Sequence, residues 1–227
     1  MQRTVKDTKL LSNEHKFFFM HIPKTGGTSL RNALNTLIQS PQPYTERDME
    51  KKHRPAHLVK DETDNWDNLW KFTFIRNPYD RMVSYYTFYR MPRQFPYMHR
   101  TRKAANELSF SDWIRYLKNK EFVRLGDHPP RKIPMWRRPQ VDYIFKDGIQ
   151  LIDYIGRYET LQEDYLYIAN KLELDKDISI WKHHRELKHY NRSKRLEDFR
   201  LYYDDDARSI VKWWFMRDIK QFNYMFF

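Results

Sequence analysis

The chain of 227 residues contains no cysteine. This absence excludes disulfide bonds, thiolate nucleophiles and any zinc site built on sulfur ligands. The chain can therefore fold in a reducing compartment.

Long apolar segments are also missing. No run approaches the ~20 residues that span a bilayer, and residues 1–16 lack the apolar stretch of a secretory signal peptide. We therefore expect no membrane span, and a cytoplasmic location if the sequence is full length.

Glycine is scarce, with five residues, whereas basic and aromatic side chains are abundant. Hydrophobic residues make up 40% and aromatic residues 17% of the chain, enough for the core of one domain, predicted to span residues 1–227. The 42 Lys and Arg outnumber the 30 Asp and Glu, which gives a formal net charge of +12. This excess favours an anionic partner, such as nucleic acid, an acidic membrane, a phosphorylated cofactor or a charged glycan, and does not choose among them.

Hydrophobic periodicity predicts strands that alternate with helices. The first unit is a strand over residues 17–22, a glycine-containing turn, and a helix capped by Thr28 or Ser29. A second strand over residues 70–75 leads directly into a helix opened by Asn77 and a proline.

Later segments repeat this alternation. Helices are predicted over residues 110–117 and 161–172 and from residue 204, and strands over residues 141–145 and 151–158. A turn at Asp147 and Gly148 separates the last two strands. Mostly irregular structure is predicted for residues 39–68, 91–106 and 126–139.

This order predicts a single α/β domain whose mainly parallel sheet is covered by helices on both faces. In such sheets, ligands bind where strands end and helices begin. Two such junctions carry polar side chains suited to an anion.

The first junction contains two of the five glycines, Gly26 and Gly27. Glycine is used where the backbone takes a positive φ or approaches a ligand closely, and the helix that follows offers free N–H groups to a phosphate or sulfate. Potential donors flank the two glycines: Lys24, Thr25, Thr28 and Ser29. Anion binding is favoured over an ordinary tight turn, but the lysine precedes the glycines, unlike the P-loop of kinases and GTPases.

The second junction places Arg76 at the end of the second strand and Ser84 on the following helix. An arginine can bind a phosphate through two hydrogen bonds, and a serine adds a third donor. Taken alone, these two residues fit an ordinary salt bridge and a solvated hydroxyl better than a phosphate site.

Together, residues 24–29 and 74–86 resemble the nucleotide-dependent sulfotransferases. The likeness is greatest to the carbohydrate branch, which includes heparan sulfate 2-O- and chondroitin 4-O-sulfotransferases, and to its bacterial relatives. Weaker likeness at residues 136–140, 156–161 and 202–204 extends the resemblance over nearly the whole chain.

The resemblance implies an α/β domain related in shape to P-loop kinases. It also implies the sulfuryl donor 3′-phosphoadenosine 5′-phosphosulfate (PAPS), its product 3′-phosphoadenosine 5′-phosphate (PAP), and no metal. By this likeness, Lys24 to Ser29 hold the 5′-phosphosulfate, and Arg76 and Ser84 hold the 3′-phosphate. Ser193 lies in a basic segment that either closes over the nucleotide or is simply solvated. If the chain is an excised catalytic domain, the family implies the Golgi lumen.

Sulfuryl transfer requires a base for the acceptor hydroxyl and a cation for the leaving phosphate. Lys24 is the candidate for the cation. His53 and His57 lie in the stretch where relatives carry their catalytic residue, and His53 is the preferred base.

The acceptor is predicted to be a carbohydrate or another hydroxyl-bearing molecule, with anionic character. Basic irregular segments that contain aromatic rings could line its cleft, although solvated loops would look the same. The candidate acceptor residues are Arg131, Trp136, Arg137 and Arg138.

Three alternatives remain open at this stage. They are a nucleotide or sugar kinase-like phosphotransferase, a basic nucleic-acid-binding protein, and a pseudoenzyme that binds the donor. The lysine–glycine order argues against the first, and scattered basic residues without a known signature argue against a nucleic-acid partner. His183, His184 and His189 indicate a basic surface rather than a metal site. The sequence predicts no oligomeric state.

Overall fold

The computed structural model describes residues 11–12, 14–38, 53–92, 99–124, 134–188, 190 and 194–227. The chain forms two compact units. The sheet unit contains the chain up to Arg76 together with Gln140–Asn191, and the helical unit contains Asn77–Pro139 and Arg192–Phe227.

The described strands all belong to the sheet unit. In chain order they are β1 (Leu11–Ser12), β2 (Phe17–Met20), β3 (Trp70–Ile75), β4 (Phe145–Lys146), β5 (Ile149–Gln150) and β6 (Tyr154–Arg157). The main sheet has the order β1-β2-β3-β6, in which β1 is antiparallel to β2 and the other pairs are parallel. β4 and β5 form a separate hairpin. The α/β class with a mainly parallel sheet is therefore confirmed.

The helices of both units follow in the same order. They are α1 (Gly27–Leu37), α2 (Ala56–Lys60), α3 (Pro78–Arg90), α4 (His99–Glu107), α5 (Phe110–Arg124), α6 (Val141–Ile144), α7 (Leu161–Lys171), α8 (Ile178–His184), α9 (Asp205–Trp214) and α10 (Met216–Phe222). None of the helices among the described residues is long and apolar enough to cross a membrane.

The two central strands are buried along almost their whole length, as parallel strands covered by helices must be. Phe19 of β2 and Phe72 of β3 are each 0% exposed, and their rings stack at 5.3 Å. The buried hydroxyl of Thr73 donates to the Met20 carbonyl at 2.7 Å, so no polar group is left unsatisfied there. The register that pairs Phe19 with Phe72 fixes where β2 and β3 end.

The cap of α1 differs from the prediction. Gly26, rather than Thr28 or Ser29, occupies the N-cap position, with a φ of 82°. Its carbonyl accepts hydrogen bonds from the N–H groups of Ser29 and Leu30. Because the left-handed glycine turns the chain directly into the helix, no side-chain cap is required.

The predicted strand over residues 141–145 is wrong. Val141–Ile144 forms the helical turn α6, and only Phe145–Lys146 is extended. The preceding Gln140 explains this, because its side chain accepts from the Arg76 N–H at 2.9 Å and donates to the Arg76 carbonyl at 2.8 Å. The Gln140 side chain thus makes the two hydrogen bonds to the Arg76 backbone that a neighbouring strand would otherwise make.

The predicted turn at Asp147 and Gly148 is confirmed, with φ angles of 51° and 79°. These left-handed angles match the primed turns that join two antiparallel strands. The strand predicted over residues 151–158 is shorter in the structure, because β6 begins only at Tyr154 and residues 158–160 form a 3₁₀ turn.

The helical unit is built around α3. Asn77 caps this helix by accepting from the Tyr79 N–H at 3.0 Å, as the sequence predicted. The aromatic side chains of α3 pack against α5 and α9, with Trp113 of α5 fully buried. The unit therefore has a core of its own, made largely of rings.

The prediction of irregular structure over residues 91–106 is wrong for its second half, where α4 forms. Ala104 and Ala105 are 6% and 0% exposed and belong to the core of the helical unit. Two consecutive small residues allow a basic segment to pack as a helix, although its charge had suggested a loop.

Candidate functional site

Three parallel strands end at one edge of the sheet unit, and each contributes to the candidate site. β2 leads into the turn that contains Lys24, β3 leads into Arg76, and β6 leads into Tyr158. One Arg76 Nη donates to the Lys24 carbonyl at 3.1 Å. The Arg76 guanidinium also lies 3.8 Å from the centre of the Tyr158 ring. The arginine thus links the three strand ends.

Lys24 has a backbone conformation that is unusual for a residue other than glycine. Its φ is 69°, in the left-handed region, which costs an L-residue about 1–2 kcal/mol. Such strain persists where surrounding contacts enforce it. The hydrogen bond from Arg76 to the Lys24 carbonyl is one such contact.

The two glycines of the turn are both required sterically. A Cβ on Gly26 would lie 2.8 Å from a Leu161 methyl carbon, and one on Gly27 would lie 2.0 Å from the His21 ring. The close neighbours of these glycines are protein side chains, and a close approach to a ligand stays a prediction.

Backbone donors point to an anion more directly than the hydroxyls do. The first N–H groups of a helix have no acceptor within the helix, and those of Ser29 and Leu30 turn back to the Gly26 carbonyl. The N–H groups of Gly27 and Thr28 remain at the start of α1, where the helix dipole favours negative charge.

The hydroxyl groups of this turn divide into two kinds. Thr25 is 0% exposed and donates to the Ile22 carbonyl at 2.9 Å. The Ser29 hydroxyl accepts from the Tyr190 N–H at 3.1 Å. Both stabilise the protein, whereas Thr28 is partly exposed.

His53 lies beside the end of β2. Its Nδ1 is 2.8 Å from the His21 carbonyl, and the two imidazole rings are 4.5 Å apart. Because a carbonyl only accepts, Nδ1 carries the proton, so that the ring in its neutral form has its lone pair on Nε2. This is the tautomer that a general base needs.

His57 lies one turn further on, in α2. Its Nδ1 is buried and makes no hydrogen bond with the residues that the structure describes. No hydrogen bond like that of His53 therefore defines the tautomer of His57. The geometry favours His53 over His57 as the candidate base.

The predicted site residues of the helical unit have separate surroundings. Ser84 is 8% exposed on α3. On the same helix, the Asp80 carboxylate binds Arg195 at 2.5 Å, and the buried Arg81 donates to the Arg138 carbonyl at 3.1 Å. These two charged residues make structural contacts. Ser193 and Arg131 lie outside the described residues.

Trp136 and Arg137 belong to an aromatic cluster at the end of α9. Trp136 packs edge-on against Trp214 with ring centres 5.4 Å apart. The Arg137 guanidinium lies 5.4 Å from the Trp213 ring and 5.6 Å from that of Trp214. Sequence reasoning used Trp214 as a core residue and missed Trp213, although the repeated tryptophan was a visible signal.

Two further contributors to the site were missed as well. Gln140 holds both backbone groups of Arg76, and Tyr158 supplies the ring on which its side chain stacks. Both lie in segments quoted for the resemblance, at residues 136–140 and 156–161, but their partner is more than 60 residues away in the chain.

Within the described parts of the chain, no group of three or more histidine, aspartate or glutamate side chains could hold a metal ion. His183 and His184 lie at the end of α8. His189 is outside the described residues.

The fold and the strand-end turn define an α/β protein with a candidate anion-binding site. The chain matches the model of the sulfotransferase family over residues 8–225 and belongs to that family. This match confirms the resemblance and the assignment as a transferase. It favours that interpretation over the kinase-like and nucleic-acid-binding alternatives.

Named relatives agree with the family. The chain is 28% identical to carbohydrate sulfotransferase 10 of Xenopus laevis, across 99% of this chain and 69% of that protein. It is 26% identical to carbohydrate sulfotransferase 10 of Homo sapiens, across 86% and 60%. It is also 23% identical to carbohydrate sulfotransferase 14 of Danio rerio, across 75% and 50%. The chain thus spans between half and about two thirds of the length of these relatives.

Proposed function

We propose that this chain transfers a sulfuryl group from PAPS to a hydroxyl group of a carbohydrate. The sulfotransferase family match and the names of the relatives support this proposal. The observation that carries it is the joining of three strand ends by Arg76, which contacts the Lys24 carbonyl and the Tyr158 ring.

The residues of the turn fit the phosphosulfate end of the donor. Its glycines leave no room for side chains, and two N–H groups at the start of α1 are suited to anionic oxygens. Lys24, Thr28 and these N–H groups would hold the 5′-phosphosulfate, while Arg76 would hold the 3′-phosphate. When bound, the donor supplies an activated sulfuryl group.

Catalysis in this proposal consists of positioning and charge stabilisation. Lys24 and the N–H groups of Gly27 and Thr28 would stabilise the negative charge that develops on the departing phosphate oxygen. His53 would accept the proton of the acceptor hydroxyl at Nε2. The hydrogen bond from Nδ1 to the His21 carbonyl supports this role by fixing the ring.

Other assignments remain predictions. The resemblance implies donor contacts of Thr25 and Ser29 and 3′-phosphate contacts of Ser84 and Ser193. The basic segments with aromatic rings suggest acceptor contacts of Arg131, Trp136, Arg137 and Arg138. We also expect activity without added metal, because lysine, arginine and backbone donors supply the positive charge.

Calorimetric titration with PAP tests the proposed donor site. We expect wild-type protein to bind PAP, and Lys24→Ala or Arg76→Ala to weaken binding by about 10- to 100-fold, the cost of losing a charged hydrogen-bond donor. Lys182→Ala removes an exposed cation from α8 of the same unit and should leave the Kd unchanged. Folded wild-type protein that does not bind PAP would contradict the proposal.

A further inference from the structure

The end of α9 carries two adjacent tryptophans with opposite exposure. Trp214 is 4% exposed and belongs to the core, whereas Trp213 is 59% exposed. The buried positions of this helix are Ala207, Ile210, Val211 and Trp214. Trp213 is off this stripe, so packing of the core does not explain the presence of a large ring there.

A cation lies beside this exposed ring. The Arg137 guanidinium is 5.4 Å from the centre of Trp213 and 5.6 Å from that of Trp214. Contact with two indoles restricts the orientation of the guanidinium, whose planar N–H edge suits a carboxylate or a sulfate. Trp136 packs edge-on against Trp214, the buried neighbour of Trp213 in the chain.

We propose that Trp213 and Arg137 form a subsite for an anionic sugar residue of the acceptor. The indole of Trp213 offers an apolar surface to the C–H groups of a pyranose ring, and Arg137 binds the carboxylate or sulfate that the sugar carries. The choice of a sugar as the ligand rests on the proposed function. It assigns the stacking role to Trp213 rather than to Trp136, the residue predicted from the sequence.

Binding of defined oligosaccharides, measured by calorimetry without any donor, tests the subsite. The probes are a hyaluronan hexasaccharide, which carries carboxylates, and cellohexaose, a neutral glycan of equal length. Wild-type protein should bind the hyaluronan fragment more tightly than cellohexaose. Trp213→Ala and Arg137→Gln should each weaken hyaluronan binding by about tenfold, whereas Trp213→Tyr keeps a ring and should stay within about threefold of wild type.

Two control variants match these changes elsewhere in the helical unit. Leu201→Ala removes an apolar side chain that is 70% exposed, and Lys120→Gln removes a cation 4.6 Å from the Tyr116 ring. Both should bind like wild type. The subsite is disproved if wild-type protein does not prefer the anionic probe, or if the Trp213 and Arg137 variants bind it as tightly as the controls do.

The same variants should bind PAP with wild-type affinity, which also shows that they are folded. Failure of wild-type protein to bind PAP would count against the proposed function. It would leave the saccharide comparison interpretable, since no donor takes part in that measurement.

Discussion

Among single residues, Gly27 ties the turn to the candidate base. The space that its missing Cβ would occupy is taken by the His21 ring, and the His21 carbonyl in turn holds His53. A side chain at position 27 must therefore displace His21, and that movement reaches both the start of α1 and His53.

We expect Gly27→Ala to destabilise the fold by about 1–3 kcal/mol, the usual cost of overpacking, and to weaken PAP binding. Thermal unfolding and calorimetry measure the two effects. Gly148→Ala is the control, because it also replaces a glycine but has nothing within 4 Å of the new Cβ. The control is strained at φ 79° and should lose some stability while binding PAP normally. Normal PAP binding by Gly27→Ala would show that the turn tolerates the rearrangement.

His53 and His57 are four residues apart and are distinguished by a single contact. The hydrogen bond from His53 Nδ1 to a backbone carbonyl fixes the tautomer with a basic Nε2, and no such contact is found for His57 among the described residues. We expect His53→Ala to lower kcat by about 10²- to 10⁴-fold, the usual contribution of a general base, with an unchanged Kd for PAP. His57→Ala should change kcat much less. The reverse ranking in a steady-state assay with a sulfatable glycan would make His57 the base.

The sequence predicted the charged residues and glycines of the candidate site but not the residues whose contacts fix their positions. Lys24, Gly26, Gly27 and Arg76 are recognisable because local order and residue type carry the signal. Gln140 is not, because its hydrogen bonds to Arg76 depend on a contact between distant parts of the chain.

At the level of elements, α9 shows how a helix start is fixed by its cap. The Asp204 side chain accepts from the Ala207 N–H at 2.8 Å, and Arg115 also contacts this carboxylate. The Ala207 hydrogen bond, with a further contribution from Arg115, holds the pKa of Asp204 below its ordinary value. The ionised carboxylate is therefore favoured in the folded state.

Asp204→Ala should destabilise the protein by about 1 kcal/mol at neutral pH, as loss of an N-cap usually does. A lowered folded-state pKa stabilises the fold above the unfolded value and loses that effect as the pH falls through the folded value. The difference between wild type and variant should thus shrink below about pH 4. Urea unfolding at several pH values measures it, with Asp205→Ala, an exposed residue of the same turn, as the control. A difference that stays constant down to about pH 2 would exclude the carboxylate as its source.

Elements with a continuous local pattern were predicted well, and those set by distant contacts were not. β3, α3 and α7 have strong apolar patterns and clear start signals, and each was predicted. Val141–Ile144 has the composition of a strand, but the Gln140 side chain already occupies the backbone groups of Arg76, so the chain turns instead. For α4, two buried alanines outweighed a basic composition that had suggested a loop.

For the whole molecule, the net charge of +12 should accelerate capture of anionic ligands from a distance. Because salt screens such attraction, we expect the association rate of PAP to fall by about tenfold between roughly 0.05 and 0.5 M salt. Stopped-flow measurements of PAP and of uncharged adenosine provide the comparison, and the adenosine rate should change little. Equal salt dependence for the two ligands would mean that the excess charge acts only on solubility.

In the proposed donor site, the position of Arg76 would also determine how the free energy of binding divides between enthalpy and entropy. A free arginine side chain gives up about 2 kcal/mol of rotamer entropy when a ligand orders it. Here the Lys24 carbonyl and the Tyr158 ring have already ordered it during folding. An anion that arrives at the site meets a guanidinium with little freedom left to lose, so more of the hydrogen-bond energy appears as affinity. In the proposed donor site, Tyr158 would thereby strengthen binding through the conformational entropy of its neighbour, a role that requires no contact of its own with the ligand.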